Sequence, residues 1–177
     1  MIKLKIYTDG GCLPNPGFGA YGFVIVSSGE IIFESWGHNV EATSNIMELT
    51  AIIEAIKHVY NKDYDYKFEG LIIYSDSKYC INGINDWIKK WKLRNWMTNK
   101  NEPVKNKYHW IELDELRVNR RILFEWVKGH NGDIFNERAD ELCNLELVKY
   151  FGKEYFDMTI REICDRYEKI KSALIQK

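Results

Sequence analysis

Gly70-Leu71-Ile72-Ile73-Tyr74-Ser75-Asp76 is an apolar run of strand length, preceded by one helical pattern and followed by another. Upstream, Met47, Leu49, Ile52, Ile53, Ile56, Val59 and Tyr60 recur at helical spacing, so Asn45–Tyr60 reads as a helix. Asn45, with Glu48 three residues on, resembles a capping box at its start. Downstream, Ser77–Trp91 reads as helix interrupted at Gly83. Helix, strand, helix in this order describes a sheet whose faces are covered by helices. Nearer the N-terminus, Ile2, Leu4 and Ile6 alternate with Lys3, Lys5 and Tyr7, a strand expected to end at Thr8-Asp9-Gly10-Gly11. Tyr21–Val26 and Ile31–Trp36 flank Ser27-Ser28-Gly29-Glu30 as a hairpin. A helix from Val104 to about Val118, a strand at Leu123–Val127 and a helix at Asn136–Tyr150 follow. The expected fold is α/β, a mixed five-stranded sheet of three antiparallel strands, then alternating helices and strands, with helices on both faces.

With 177 residues, 45% hydrophobic and 29% charged, the chain is long enough for a substantial core in one domain. Three prolines and 12 glycines exclude collagen-like and low-complexity classes. No apolar stretch approaches the roughly 18 residues of a membrane span, and MIKLKIYTDGG lacks the pattern of a signal peptide. Cys12, Cys80, Cys143 and Cys164 form no CxxC pair, which argues against structural zinc and for a reduced, cytoplasmic setting. Net charge is only −1, yet residues 87–107 hold seven Lys/Arg against Glu102 alone. A local excess of that kind matters more to a phosphate backbone than the total.

The C-terminal segment differs in character. Phe156, Ile160, Ile163, Tyr167, Ile170 and Leu174 are spaced 4-3-4-3-4, an a/d seam amid mixed charge. It reads as a helix packing on the domain, with a self-association helix as the alternative. The division expected is residues 1–150 as the main domain and 151–177 as a helical extension of a monomer.

Four carboxylates share a logic of position. Asp9 ends the first strand, Asp76 ends the Leu71–Ser75 strand, Glu48 opens a helix, and Asp140 lies on the helix after the last strand. Ligands of open α/β sheets collect at the carboxyl ends of strands, so Asp9 and Asp76 converge if their strands are neighbours. Carboxylates facing one cleft repel unless a cation neutralises them, and hard oxygen ligands suit Mg²⁺. Singly, each has a plainer role: Asp9 in a turn, Glu48 and Asp76 as cap residues, Asp140 on the surface.

The flanking residues narrow this. Thr8-Asp9-Gly10-Gly11-Cys12 with Asn15-Pro16-Gly17, Thr43-Ser44-Asn45-Ile46-Met47-Glu48, Tyr74-Ser75-Asp76-Ser77, Trp126-Val127-Lys128-Gly129-His130 and Asn136-Glu137-Arg138-Ala139-Asp140 occur in that order. Over about residues 1–148 the set closely resembles type 1 ribonuclease H, without an N-terminal hybrid-binding domain and with an added C-terminal extension. The resemblance implies a ribonuclease H-like fold and endonucleolytic hydrolysis of the RNA strand of RNA–DNA hybrids by two Mg²⁺ ions, with Mn²⁺ as a substitute, leaving 5′-phosphate and 3′-hydroxyl ends. It implies that Asp9, Glu48, Asp76 and Asp140 hold the metals and that His130 moves protons or aids product release.

It also implies that Gly11, Cys12, Asn15, Ser44, Asn45 and Lys78 line the RNA strand, and that Trp87, Trp91, Thr43 and Asn106 meet the DNA strand. Lys89, Lys90, Lys92 and Arg94 are expected to make nonspecific phosphate contacts, while Trp96 is expected to pack inward. Ser44, Ile46 and Lys78 depart from the residues common in the family, which bears on substrate preference. A catalytically silent hybrid-binding module and a transposase or exonuclease of similar topology are the competing readings. Neither resemblance nor pattern assigns the segment after Tyr150 a part in the chemistry, and its removal is expected to leave the active site intact.

Overall fold

The computed structural model describes residues 2–61 and 68–175. Three strands open it, β1 (Ile2–Leu13), β2 (Gly17–Ser27) and β3 (Glu30–Ala42), followed by α1 (Ser44–Asn61) and β4 (Phe68–Ser75). A segmented helix comes next: α2 (Lys78–Asn82), a π turn at Gly83–Trp87, and α3 (Ile88–Leu93). Then come α4 (Lys107–Arg117), β5 (Ile122–Trp126), α5 (Ile134–Phe151), a 3-10 turn at Lys153–Asp157 and α6 (Ile160–Ile175). The sheet order is β3-β2-β1-β4-β5. β1–β2 and β2–β3 are antiparallel, while β1–β4 and β4–β5 are parallel.

The period-2 pattern of β1 distributes its side chains between two layers. Leu4 and Ile6 join Leu49, Ile52, Ile56, Ile73, Ile84 and Trp110 beneath α1, α2 and α4. Tyr7, on the opposite face, packs with Val24, Val26, Ala139 and Leu142 beneath α5. The expected interruption at Gly83 is the π turn, a change of hydrogen-bond register rather than a break. Trp110 lies fully buried against this turn, Trp91 packs on it with ring centroids 5.4 Å apart, and Trp96 joins the same cluster at its edge.

Three expectations need correction. β1 continues through Gly10 and Gly11 to Leu13, because β2 supplies ladder partners as far as Phe18 and overrides the turn signal of paired glycines. The cap of α1 is Thr43, whose hydroxyl accepts from the Ile46 N–H at 3.3 Å, and Asn45 lies inside the first turn. The a/d seam is split: Ile163 and Tyr167 are buried against Phe18 and Leu147, with Ile170 and Leu174 beside them, whereas Phe156 and Ile160 are exposed. Gly152, at φ +83°, ends α5, so Phe156 falls in the 3-10 turn and off the helical stripe. α6 therefore packs on the sheet edge, where the Tyr167 hydroxyl donates to the Val40 carbonyl at 2.9 Å and Lys171 pairs with Glu41.

Candidate active site

Strand register brings the first two carboxylates together. In the parallel β1–β4 pair Thr8 lies opposite Ser75, so Asp9 and Asp76 are the next residues out on neighbouring strands. Glu48 arrives from the first turns of α1. Gly10 makes this approach possible, since a Cβ there would stand 2.4 Å from the Glu48 backbone nitrogen. One carboxylate oxygen each from Asp9, Glu48 and Asp76 lies within 4.8 Å of the others.

Asp140 projects from α5 beside them. It adds to the negative field on Asp9 and Asp76, and His130 lies beside it, with Nδ1 4.0 Å from Asp140 Oδ2. His130 sits on the loop between β5 and α5 at φ +49°, and its side chain is 81% exposed.

The electrostatics follow from burial and like charge. Desolvation, then Asp76 and Asp140, push the Asp9 carboxyl up to about 7. Burial raises Glu48 well above the usual carboxylate range, and Asp9 and Asp76 add to this. Asp76 is raised by burial and partly relieved by hydrogen bonds, including one from the Asn136 side chain. Glu48 Oε2 is buried with no hydrogen-bond partner. A buried, unpartnered carboxylate oxygen facing two further carboxylates is costly by itself and becomes favourable beside a divalent cation. The donor set is all oxygen, as a hard cation such as Mg²⁺ requires.

Supporting contacts that pattern reading missed surround Asp76. Trp126 Nε1 donates to its backbone carbonyl at 3.0 Å, and Asn136, nearly fully buried at the start of α5, bonds its carboxylate. A Cβ on Gly129 would stand 2.3 Å from Asp76 Oδ2, so a side chain there would displace the Asp76 carboxylate. Asp133 caps α5 by accepting from the Phe135 and Asn136 N–H groups, which fixes the turn that carries Asn136. Trp126, Gly129 and Asn136 belong to motifs visible in the sequence and Asp133 stands beside one, but no local signal says that they converge on Asp76.

The residues expected on the RNA side lie around the β1–β2 turn and the start of α1. Asn15 Nδ2 donates to Ser44 Oγ at 3.1 Å and joins the two segments. Gly11 and Asn45 are half-buried nearby in sequence, on β1 and in the first turn of α1. The Cys12 thiol donates to the Pro14 and Ala42 carbonyls, and burial pushes it up to about 11, so it is a neutral tie between β1 and the end of β3. Exposed Lys78 holds its ammonium 4.9 Å from the Trp126 ring centroid.

On the expected DNA side, half-buried Trp87 and Trp91 lie 5.7 Å apart and, with Lys90, Arg94 and Thr98, line one groove. Asn106, in the left-handed region, donates from its amide to the Tyr79 hydroxyl at 3.0 Å. Lys89, Lys90 and Arg94 are exposed. Lys92 is not free in the same way: its ammonium pairs at 2.6 Å with Asp114, which is buried and also held by Arg117. This ion pair draws the Lys92 charge toward α4.

The fold and site define an α/β protein whose carboxylate cleft, where the pairing of two parallel strands ends, suits a divalent cation. The profile of the RNase H family matches residues 2–147. The ribonuclease H of Ruthia magnifica subsp. Calyptogena magnifica is 42% identical over 149 residues, 84% of this chain and 98% of that protein. Among solved structures, LC9-RNase H1, a type 1 RNase H with the type 2 active-site motif, matches with a TM-score of 0.71 at 24% identity, covering 82% of this chain and 72% of that one. LC11-RNase H1 in complex with RNA/DNA hybrid matches at 0.66 and 24% identity, covering 82% and 97%. The chain belongs to the ribonuclease H family and is an enzyme of that class.

Proposed function

We propose that the protein hydrolyses the RNA strand of RNA–DNA hybrids, with Asp9, Glu48, Asp76 and Asp140 holding two Mg²⁺ ions, and leaves 5′-phosphate and 3′-hydroxyl ends. The observation that carries this reading is the meeting of Asp9, Glu48 and Asp76 within 4.8 Å around a Glu48 oxygen that has no other partner. When bound, such ions activate an attacking water and stabilise the leaving oxygen across an in-line phosphorus. Mn²⁺ satisfies the same oxygen ligands.

The chain's own groups supply the rest. His130, exposed on its loop and adjacent to Asp140, stands at the edge of the cleft, where an imidazole moves protons or aids product release. Choosing RNA over DNA requires reading the 2′-hydroxyl. Gly11 backbone with Cys12, Asn15, Ser44 and Asn45 offers short donors and acceptors on one side of the cleft, and the N-terminus of α1 adds a favourable dipole for the strand's phosphates. Lys78, at the start of α2, offers the same RNA strand a cationic side chain suited to phosphate. Trp87 and Trp91 offer flat faces to deoxyribose, while Thr43, just before α1, and Asn106, just before α4, take DNA phosphate. Lys89, Lys90 and Arg94 add salt-sensitive affinity.

Among the described residues no helix is long and apolar enough to cross a membrane. A cytoplasmic monomer acting on hybrids is the setting we propose. The test is gel-resolved cleavage of a hybrid labelled on either strand, with Mg²⁺ or EDTA, by wild type and Asp9→Asn. RNA-strand cleavage lost in EDTA and in the variant is the expected result. Tight binding without cleavage by the wild type would instead mark a silent hybrid-binding module, and cleavage of the DNA strand would overturn the substrate assignment.

A further inference from the structure

The segment after Phe151, to which neither motif nor pattern gave a part in the chemistry, is joined to Asp140 by hydrogen bonds. Gly152 turns the chain at the end of α5, and the 3-10 turn lays Tyr155 back against the helix it has just left. Tyr155 is 7% exposed and shares a cluster with Cys143, Leu147 and Phe151. Its hydroxyl donates to Asn144 Oδ1 at 2.7 Å. Asn144 Nδ2 in turn donates to Asp140 Oδ1 at 2.9 Å and to the Asp140 backbone carbonyl at 3.0 Å. From α6, Arg166 holds the turn by pairing with Glu154 at 2.7 Å and by donating to the Phe151 carbonyl.

The order of donors fixes the geometry. A phenol that donates to Asn144 Oδ1 leaves only the amide N–H groups to face Asp140. Without that phenol the amide can turn its oxygen toward the carboxylate, where two acceptors repel. The bond to Asn144 occupies Asp140 Oδ1 and leaves Oδ2 on the side of His130. Asp140 has most need of such support, because Asp9 and Asp76 are placed by strand register and Glu48 by the close packing of α1 on Gly10.

We propose that Tyr155 is a positioning residue that acts through the Asn144 amide to hold the Asp140 carboxylate in its metal-binding orientation. The inference rests on the reading of Asp140 as a metal ligand. It makes the C-terminal segment part of the working enzyme, since α6 clamps the turn that carries Tyr155.

The test uses the full chain as wild type, Tyr155→Phe, Asn144→Ala, the double variant and Asp140→Asn. Binding of Mn²⁺ without substrate is measured by calorimetry, beside the Mg²⁺ dependence of cleavage, KM for hybrid and the thermal midpoint. Outer contacts to metal ligands commonly carry at least tenfold in affinity, so we expect about tenfold weaker Mn²⁺ binding for Asn144→Ala and about threefold for Tyr155→Phe. The Mg²⁺ midpoint for cleavage rises in parallel, KM for hybrid is unchanged, and the double variant is no worse than Asn144→Ala. Tyr155→Phe with wild-type Mn²⁺ affinity, a loss of thermal stability alone, or effects of the two substitutions that add would overturn the inference. Asp140→Asn separates the two levels. If it loses metal and activity while Tyr155→Phe does not, the relay alone fails; if it keeps both, the assignment of Asp140 fails and the relay with it.

Discussion

Where the parallel pairing of β1 and β4 ends, three carboxylates meet within 4.8 Å, with Glu48 Oε2 buried and unpartnered. Along residues 87–107, seven cationic side chains against one glutamate are spread over a largely exposed segment on a tryptophan-bearing support. Both regions concentrate one sign of charge, but they are built differently. The negative cluster is imposed by backbone packing, with glycines where backbone and carboxylate nearly touch, and its repulsion is stored in the fold. The positive surface is solvated and screened, so it needs no such scaffold. Within it, Lys92 is paired with Asp114.

The strongest challenge to this contrast is Asp9→Asn. Losing one ligand should lower cleavage about a thousandfold, roughly 4 kcal/mol of transition-state stabilisation. In metal-free buffer the same change should stabilise the protein. The sign follows from linkage. Asp9 is raised from 3.8 to about 7 in the folded state, so folding is favoured while it is protonated, and stability is lost as pH rises across that window. Melting curves at pH 4 and pH 8 in EDTA should therefore show the variant gaining on wild type only at the higher pH. A variant less stable than wild type at pH 8 would mean that the cluster is not under charge strain.

Gly10→Ala probes the scaffold rather than the charge. Its new methyl meets the α1 backbone, so α1 must move from β1 at a cost of about 1–3 kcal/mol in unfolding free energy. Cleavage should fall further than this stability loss explains, because Glu48 moves with α1. Unfolding in denaturant together with kcat gives both quantities, and an unchanged kcat would detach Glu48 from the site.

The basic surface should respond in the opposite manner. Lys89→Ala, Lys90→Ala and Arg94→Ala combined should leave the melting temperature and kcat unchanged. The slope of log affinity for hybrid against log salt should shrink by about 2 to 3 if all three lie on phosphate. An unaltered slope would remove this surface from the interface. The smallest effect belongs to Lys92→Ala, which should cost under about 1 kcal/mol of stability, because Arg117 still holds Asp114 and Lys92 is itself half exposed. The comparison sharpens if Lys90→Ala leaves stability untouched under the same conditions.

Much of this architecture is legible in one sequence because hydrophobic period reports local geometry. Leu4 and Ile6 opposite Tyr7, the apolar face of α1, and the run in β4 each announce their element. Boundaries were less legible where a distant partner decided them. Gly10 and Gly11 read as a turn, yet β2 pairs with them and the strand runs on to Leu13. Asn45 and Glu48 resemble a capping box, yet the hydroxyl of Thr43 reaches the Ile46 N–H first, and Glu48 is turned into the cleft instead. The spacing of the C-terminal seam is regular through Phe156, but Gly152 takes the chain out of α5 and leaves that ring exposed.

By itself, the sequence determined which elements form, the family to which their motifs point, and the carboxylates at issue. These rest on periodicity and on side chains read in order along the chain. The tertiary structure alone decided that Asp9 stands beside Asp76, through the register of β1 on β4, strands separated by two others and a helix. It also decided that Asn136 supports Asp76 and that Tyr155 reaches Asp140 through Asn144. The physical reason is common to all three. A hydrogen bond or a shared cation depends on distances of a few ångströms between groups on different elements, and local pattern carries no information on that distance until those elements are packed together.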